Sequence, residues 1–93
     1  MTDVTTTLEE RGGRYGEFPG NAMIAQDLKR MFYEHAAMHG RGMIEDPVLR
    51  EAADMILHKL ARIANGDPFY DDSWRDIAGY AQLVVTYLDS REE

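Results

Sequence analysis

The strongest constraint on this 93-residue chain is a run of helix-breaking residues, Asn65-Gly66-Asp67-Pro68, that lies between two segments with helical periodicity. Asn-Gly favours a left-handed backbone where a helix ends, and proline cannot continue a helix. A connection of roughly eight residues makes two helices antiparallel neighbours. The chain is therefore predicted to contain an antiparallel helical hairpin closed by this loop.

The helix before the loop has clear signals at its start. Asp46 is a good N-cap, because its carboxylate can accept backbone N–H bonds, and Pro47 suits the first helical position, since its missing N–H costs nothing there. Apolar residues then recur at helical spacing and form one stripe: Leu49, Ala52, Ala53, Ile56, Leu60 and Ile63. This pattern predicts an amphipathic helix.

Two further segments have helical periodicity. The first spans about residues 22–38, with Asn21 as its predicted N-cap. The last spans about residues 73–88, and its predicted core stripe is Trp74, Ile77, Ala78, Ala81, Val84 and Leu88. We therefore predict an all-α, three-helix domain over residues 21–90. An N-terminal arm over residues 1–20 precedes it, because its glycines interrupt a helix.

Composition restricts the class of protein. The formal net charge of −7 opposes binding to nucleic acid and to anionic membranes, so neither partner is predicted. Cysteine is absent, which excludes disulfides and thiolate metal ligands. No apolar run reaches the ~18 residues of a membrane-spanning helix, and the sequence starts without the pattern of a signal peptide. We predict a cytoplasmic protein whose small core favours a homo-oligomer.

Charged side chains are predicted to meet at the loop end of the hairpin. Lys59 and Arg62 lie on one flank of the second helix, and Asp72 and Asp76 lie on one flank of the third. The antiparallel turn brings these flanks together, so the bases should face the acids. Two polar residues of the second helix are predicted on the opposite, solvent-exposed side: Asp54 and His58.

This cluster has two interpretations. In the structural one, Ser73 and Asp76 form a capping box, or Asp76 pairs with Lys59 and fixes the hairpin. In the functional one, carboxylates one helical turn apart share a Mg²⁺ ion that bridges phosphate oxygens, while basic side chains hold further phosphate oxygens. The phosphate-binding residues of this hypothesis are Lys59, Arg62, Arg14 and Tyr80.

The segment Gly12-Gly13-Arg14-Tyr15-Gly16 also has two interpretations. Its backbone N–H groups and Arg14 can approach a phosphate. It lacks the Gly-Lys-Ser/Thr ending of a P-loop, so the alternative is a plain flexible arm.

The stretch from Glu51 to Pro68, together with Asp72-Ser-Trp-Arg-Asp-Ile-Ala-Gly-Tyr-Ala, resembles a family of small phage and prophage proteins of unknown function. With the Arg14-Tyr15-Gly16 element, the resemblance covers about residues 10–90. The same pattern is similar, more distantly, to a nucleotide-modification-associated phage domain and to MazG-type all-α NTP pyrophosphatases. MazG-type enzymes carry Glu-x-x-Glu on one helix and Glu-x-x-Asp on the next.

The resemblance implies a Mg²⁺ site that acts on nucleoside triphosphates. Glu51 and Asp54 match the first acidic pair and Asp76 the last acid, whereas position 73 is Ser where the pattern has Glu. The resemblance, together with the pair of carboxylates one turn apart on the third helix, gives Asp76 and Asp72 as the expected catalytic residues. The expected metal ligands are Glu51, Asp72 and Asp76.

Three functions follow as hypotheses. The first is a Mg²⁺-dependent nucleoside triphosphate pyrophosphatase. The second is a non-catalytic nucleotide-sequestering module, which needs the basic residues but no complete metal site. The third is an acidic interaction or inhibitor protein that docks on a basic protein surface, with binding that weakens steeply with salt. The sequence favours a nucleotide-phosphate ligand and leaves catalysis open.

Overall fold

A computed structural model of the chain describes residues 13–39, 42 and 45–91. These residues form three helices, α1 (Phe18–His39), α2 (Pro47–Asn65) and α3 (Asp72–Arg91), and no strand occurs among them. Residues 13–15 are helical as well, so the prediction that the glycines interrupt a helix throughout this segment is wrong. The predicted all-α, three-helix fold class is confirmed. None of these helices is both long and apolar enough to span a lipid bilayer.

Helix α2 is central and packs against both other helices. The side chain of Asn65, at the end of α2, donates a hydrogen bond to the carbonyl of Glu17, just before α1 begins (2.9 Å). The hydroxyl of Tyr87, near the end of α3, donates to Asp46, just before α2 begins (2.9 Å). Both neighbours therefore run antiparallel to α2, which confirms the predicted hairpin.

The core consists mainly of small side chains. The buried apolar residues are Ala25, Ala52, Ala53, Leu57 and Ala61. Alanines allow the helices to approach closely, but they leave larger apolar groups at the edges of the contacts. An open apolar hollow of about 460 Å³ results on one face, lined by Phe32 of α1, Ile56 and Leu60 of α2, and Val84 of α3.

The predicted N-cap of α2 is confirmed. One carboxylate oxygen of Asp46 accepts bonds from the backbone N–H groups of Val48 (2.9 Å) and Leu49 (3.3 Å). The other oxygen accepts the Tyr87 bond and lies 3.6 Å from the guanidinium of Arg91. Asp46 thus starts α2 and also ties the end of α3 to it.

The stability of the fold should depend on the charge of Asp46. Desolvation acts to raise the pKa of this carboxyl, but the Tyr87 hydroxyl, the two backbone N–H groups and Arg91 outweigh it and lower the pKa below 3.8. Because the folded pKa is below the unfolded one, this stabilisation is present above pH 3.8 and is lost as the pH falls through the folded pKa.

We expect Asp46→Ala to lower the melting temperature at neutral pH, because α2 loses its cap. Asp46→Asn keeps an N-cap acceptor but cannot titrate, so its melting temperature should fall less steeply under acid than that of the unmodified chain. Circular dichroism melts over a pH series measure both effects. The same acid dependence in Asp46→Asn as in the unmodified chain would contradict this role.

Two predicted helix ends differ from the structure. Helix α1 begins at Phe18, because Pro19 is tolerated in a first turn. Asn21 therefore lies inside α1 and is buried, and it is not the N-cap. Gly66 has φ −134°, so the predicted left-handed exit from α2 is wrong. Glycine is needed there because a Cβ would overlap the backbone of residues 14–15.

Helix α3 turns a different face to α2 than the sequence predicted. Ser73, inside the first turn, is buried, whereas Trp74 is 48% exposed and its indole N–H donates to the carbonyl of Pro68 (2.9 Å). The prediction that Ser73 caps α3 and that Trp74 belongs to the core is wrong. Of the predicted core stripe, Ile77 and Val84 are half-buried, and the other members are exposed. With Val85, these exposed residues form what we call the outer stripe of α3: Trp74, Ala78, Ala81, Val85 and Leu88.

Candidate functional site

Charged and aromatic side chains converge where α2 ends and α3 begins. Three segments that are distant in sequence contribute to this group: residues 13–16, the last two turns of α2, and residues 70–76. We call the group the loop-end cluster; its members are Arg14, Tyr15, Lys59, Arg62, Tyr70, Asp72 and Asp76.

Lys59 and Asp76 form the direct ion pair of the cluster. The Lys59 ammonium lies 2.9 Å from a carboxylate oxygen of Asp76, and the two side chains are 11% and 41% exposed. A lysine this well covered needs a partner, because its charge has lost most of its water. The predicted contact is confirmed, and it serves at least the structural role of joining α2 to α3.

Arg62 and Asp72 both contact the side chain of Tyr15. Its guanidinium carbon lies 4.7 Å from the centre of the Tyr15 ring, and the Tyr15 hydroxyl donates to a carboxylate oxygen of Asp72 (3.1 Å). Burial and the hydrogen bond to Asp72 raise the pKa of Tyr15, so its phenol remains a protonated donor at neutral pH. The two charged residues thus share one connected group without forming a salt bridge.

Arg14 repeats this arrangement on a second tyrosine. Its guanidinium carbon lies 5.1 Å from the centre of the Tyr70 ring, and one of its nitrogens donates to the Tyr70 hydroxyl (3.4 Å). The Tyr15 and Tyr70 rings meet edge to face with centres 6.0 Å apart. Among the residues that the structure describes, neither Arg14 nor Arg62 forms a salt bridge with a carboxylate.

The end of α2 holds the segment with Arg14 in place. The Asn65 side chain donates to the carbonyl of Glu17, and the backbone N–H of Asp67 donates to the carbonyl of Arg14 (2.9 Å). Between them Gly16 adopts φ +79° directly against the Asn65 carbonyl, where a Cβ would overlap. Residues 13–16 therefore dock on α2, unlike the plain flexible arm considered from sequence.

One predicted site residue, Glu51, lies elsewhere, in a hollow of about 370 Å³ between the start of α2 and α3. Tyr80 lines this hollow too, but it also lines a second hollow of about 470 Å³ beside Asp76 of the cluster. Glu51 precedes Lys59 by eight residues, which is about 12 Å along a helix. Within residues 13–39 and 45–91, no group of three His, Asp or Glu side chains is placed to hold a metal ion. The structure therefore brings Asp72 and Asp76 to the cluster without Glu51.

The polar flank of α2 predicted to face solvent instead contacts α1. The Tyr33 hydroxyl donates to a carboxylate oxygen of Asp54 (2.7 Å), and burial together with this bond raises the pKa of Tyr33 to about 12. Burial, and then the charge of Arg62, lower the pKa of His58, which is half-buried on the same helix. The prediction for Asp54 and His58 is wrong, because α1 covers this flank.

The roles of two cluster members, Tyr15 and Tyr70, and of the residue that anchors residues 14–17, Asn65, were not predicted from the residues. Tyr15 carries a weak signal, since it adjoins a basic residue between glycines. The role of Asn65 as the anchor for residues 14–17 is a tertiary contact without a local pattern. Tyr70 has no signal that separates it from an ordinary loop residue.

Comparisons with known proteins identify no relative. No model of a protein family matches the chain, and no curated protein sequence or solved structure gives a significant match.

Proposed function

We propose that the loop-end cluster binds the phosphate groups of a nucleotide. The observation that supports this proposal most is the state of Arg14 and Arg62. In a chain of net charge −7, both guanidinium groups lie against tyrosine rings and neither pairs with a carboxylate among the described residues. A guanidinium held by a ring keeps N–H donors available for an anion.

The arrangement suits phosphate in particular. Guanidinium groups bind phosphate oxygens through paired N–H bonds, and charge-assisted bonds of this kind are about twice as strong as neutral ones. The tyrosine rings fix both arginines, so less side-chain freedom is lost on binding. The more distant similarity to a nucleotide-modification-associated phage domain and to MazG-type pyrophosphatases favours a nucleotide as the ligand. The resemblance to phage proteins makes the cytoplasm of an infected bacterium the expected setting.

The described residues fit a binding module better than a pyrophosphatase. Asp72 and Asp76 are one turn apart, but Tyr15 and Lys59 already bind them. The third expected ligand, Glu51, lies about two turns away from Lys59 along α2. These positions do not bring together the three expected Mg²⁺ ligands, Glu51, Asp72 and Asp76, so the second of the three hypotheses has the best support.

Thermal melts with a panel of nucleotides, each with and without Mg²⁺, test the proposal. We expect nucleoside triphosphates to raise the melting temperature without Mg²⁺, and chromatography to recover them intact. Orthophosphate alone should give a smaller shift, because it contacts fewer donors. If no nucleotide raises the melting temperature, the proposal fails. Shifts that require Mg²⁺, together with a cleaved product, would favour the pyrophosphatase instead.

A further inference from the structure

The outer stripe of α3 has the spacing of a helix that packs against another helix. Its residues recur at alternating intervals of four and three positions, from Trp74 to Leu88. In the described chain every one is exposed, and the large ones, Trp74, Val85 and Leu88, are 48%, 50% and 40% exposed. Heptad spacing of this kind indicates an interhelical contact, yet no helix of the described chain covers it.

The outer stripe continues into the apolar hollow on the same side of the domain. Val84, which lines the hollow, neighbours Ala81 and Leu88 on the surface of α3. Beyond the hollow, Met31 of α1 is 61% exposed. Within residues 13–39 and 45–91, the uncovered apolar face thus extends across all three helices, and a face of this extent marks an interaction surface.

We infer that this face binds a second copy of the chain, with the two α3 helices antiparallel about a two-fold axis near Ala81. Such an axis places Trp74 opposite Leu88 of the partner subunit. The small side chains at the centre, Ala78 and Ala81, let the two helices approach closely. The contact is isologous, so it closes as a dimer.

In this orientation, charged residues beside the outer stripe meet residues of opposite charge from the partner subunit. Arg75 lies six residues before Ala81, and Asp89 lies eight residues after it. An antiparallel pair about Ala81 therefore brings each Arg75 within two residues, or about 3 Å along the helix, of Asp89 of the partner subunit. Arg75 can reach it, because its present contact with Asp71 is exposed (2.7 Å). A parallel pair would instead align the two helix dipoles and bring the acidic starts of α3 together.

The outer stripe alone is too short to form the interface. The outer stripe spans 15 residues, fewer than the ~3 heptads of a stable two-stranded coiled coil. The contact must therefore include the adjacent hollow to approach the ~800 Å² per partner of a specific interface. A basic protein partner would bind an acidic surface, whereas the outer stripe contains no charged residue.

Analytical ultracentrifugation of Ala81→Arg tests the inference. The substituted position is exposed and arginine favours a helix, so the fold should persist while two arginines face each other across the axis. The matched control is Thr86→Arg, an exposed position on another side of α3. We expect dimers for the unmodified chain and for Thr86→Arg, and monomers for Ala81→Arg. A monomeric unmodified chain, or a dimeric Ala81→Arg, overturns the inference.

Charge reversal at the rim provides a second test that leaves the apolar face intact. Arg75→Glu or Asp89→Arg alone should weaken the dimer roughly 2- to 10-fold, since exposed pairs contribute little each. The double variant restores opposite charges and should return the dimerisation constant to that of the unmodified chain. Failure of the double variant to recover would overturn the antiparallel arrangement.

Discussion

Gly16→Ala should lower the free energy of unfolding by about 3 kcal/mol. Gly16 has φ +79°, which disfavours any residue with a Cβ, and the added methyl group would overlap the Asn65 carbonyl. The substitution forces residues 13–16 away from the end of α2. The bonds that Asn65 and Asp67 make to this segment are then lost as well. Urea unfolding followed by circular dichroism measures the change.

Gly79→Ala is the matched control. A Cβ at Gly79 meets no atom within 4 Å, and the residue lies inside α3, where alanine is the better helix former. We expect this variant to be more stable than the unmodified chain by about 0.5–1 kcal/mol. Equal stability of the two alanine variants would show that residues 13–16 do not dock on α2 as described.

The double variant Arg14→Gln/Arg62→Gln should weaken nucleotide binding by about 100-fold or more. Each arginine is expected to make charge-assisted bonds to phosphate, which contribute about 1.5–3 kcal/mol apiece. Glutamine keeps a polar side chain, although a shorter one, and removes the charge. The Lys59–Asp76 ion pair is untouched, so the fold should persist. Isothermal titration calorimetry with a nucleoside triphosphate measures the loss.

A control variant that loses two arginines elsewhere distinguishes loss of specific contacts at the loop-end cluster from a general effect of the lower net charge. Arg50 also stacks on a tyrosine, with its guanidinium carbon 4.8 Å from the centre of the Tyr33 ring, and Arg30 pairs with Asp27 on the exposed surface of α1. Arg30→Gln/Arg50→Gln should retain affinity within a few-fold. Similar losses in both double variants would show that binding depends on overall charge and not on the loop-end cluster.

Local signals in the sequence predicted the start of α2 and the hairpin. Asp46 and Pro47 act through the backbone that directly follows them, so their roles do not depend on tertiary packing. The meeting of Lys59 with Asp76 was also predictable, because a short antiparallel connection determines which helix ends are adjacent.

The orientation of α3 was not predictable in the same way. This helix carries two stripes at helical spacing, and the sequence favours the more apolar one, with Trp74, as the core. The structure turns the other stripe toward α2, where Asp76 meets Lys59 and Tyr87 meets Asp46. Hydrophobicity within one chain could not decide between them, because both stripes carry apolar residues at helical spacing.

The central claim is that a nucleotide binds at the loop-end cluster, and an NMR titration with a nucleoside triphosphate tests it most directly. The backbone amide signals of Gly16, Arg62 and Asp67 should shift saturably, while those of Val48 and Glu51, at the far end of α2, stay in place. A spectrum without shifts, or shifts confined to the surroundings of Glu51, would contradict the claim.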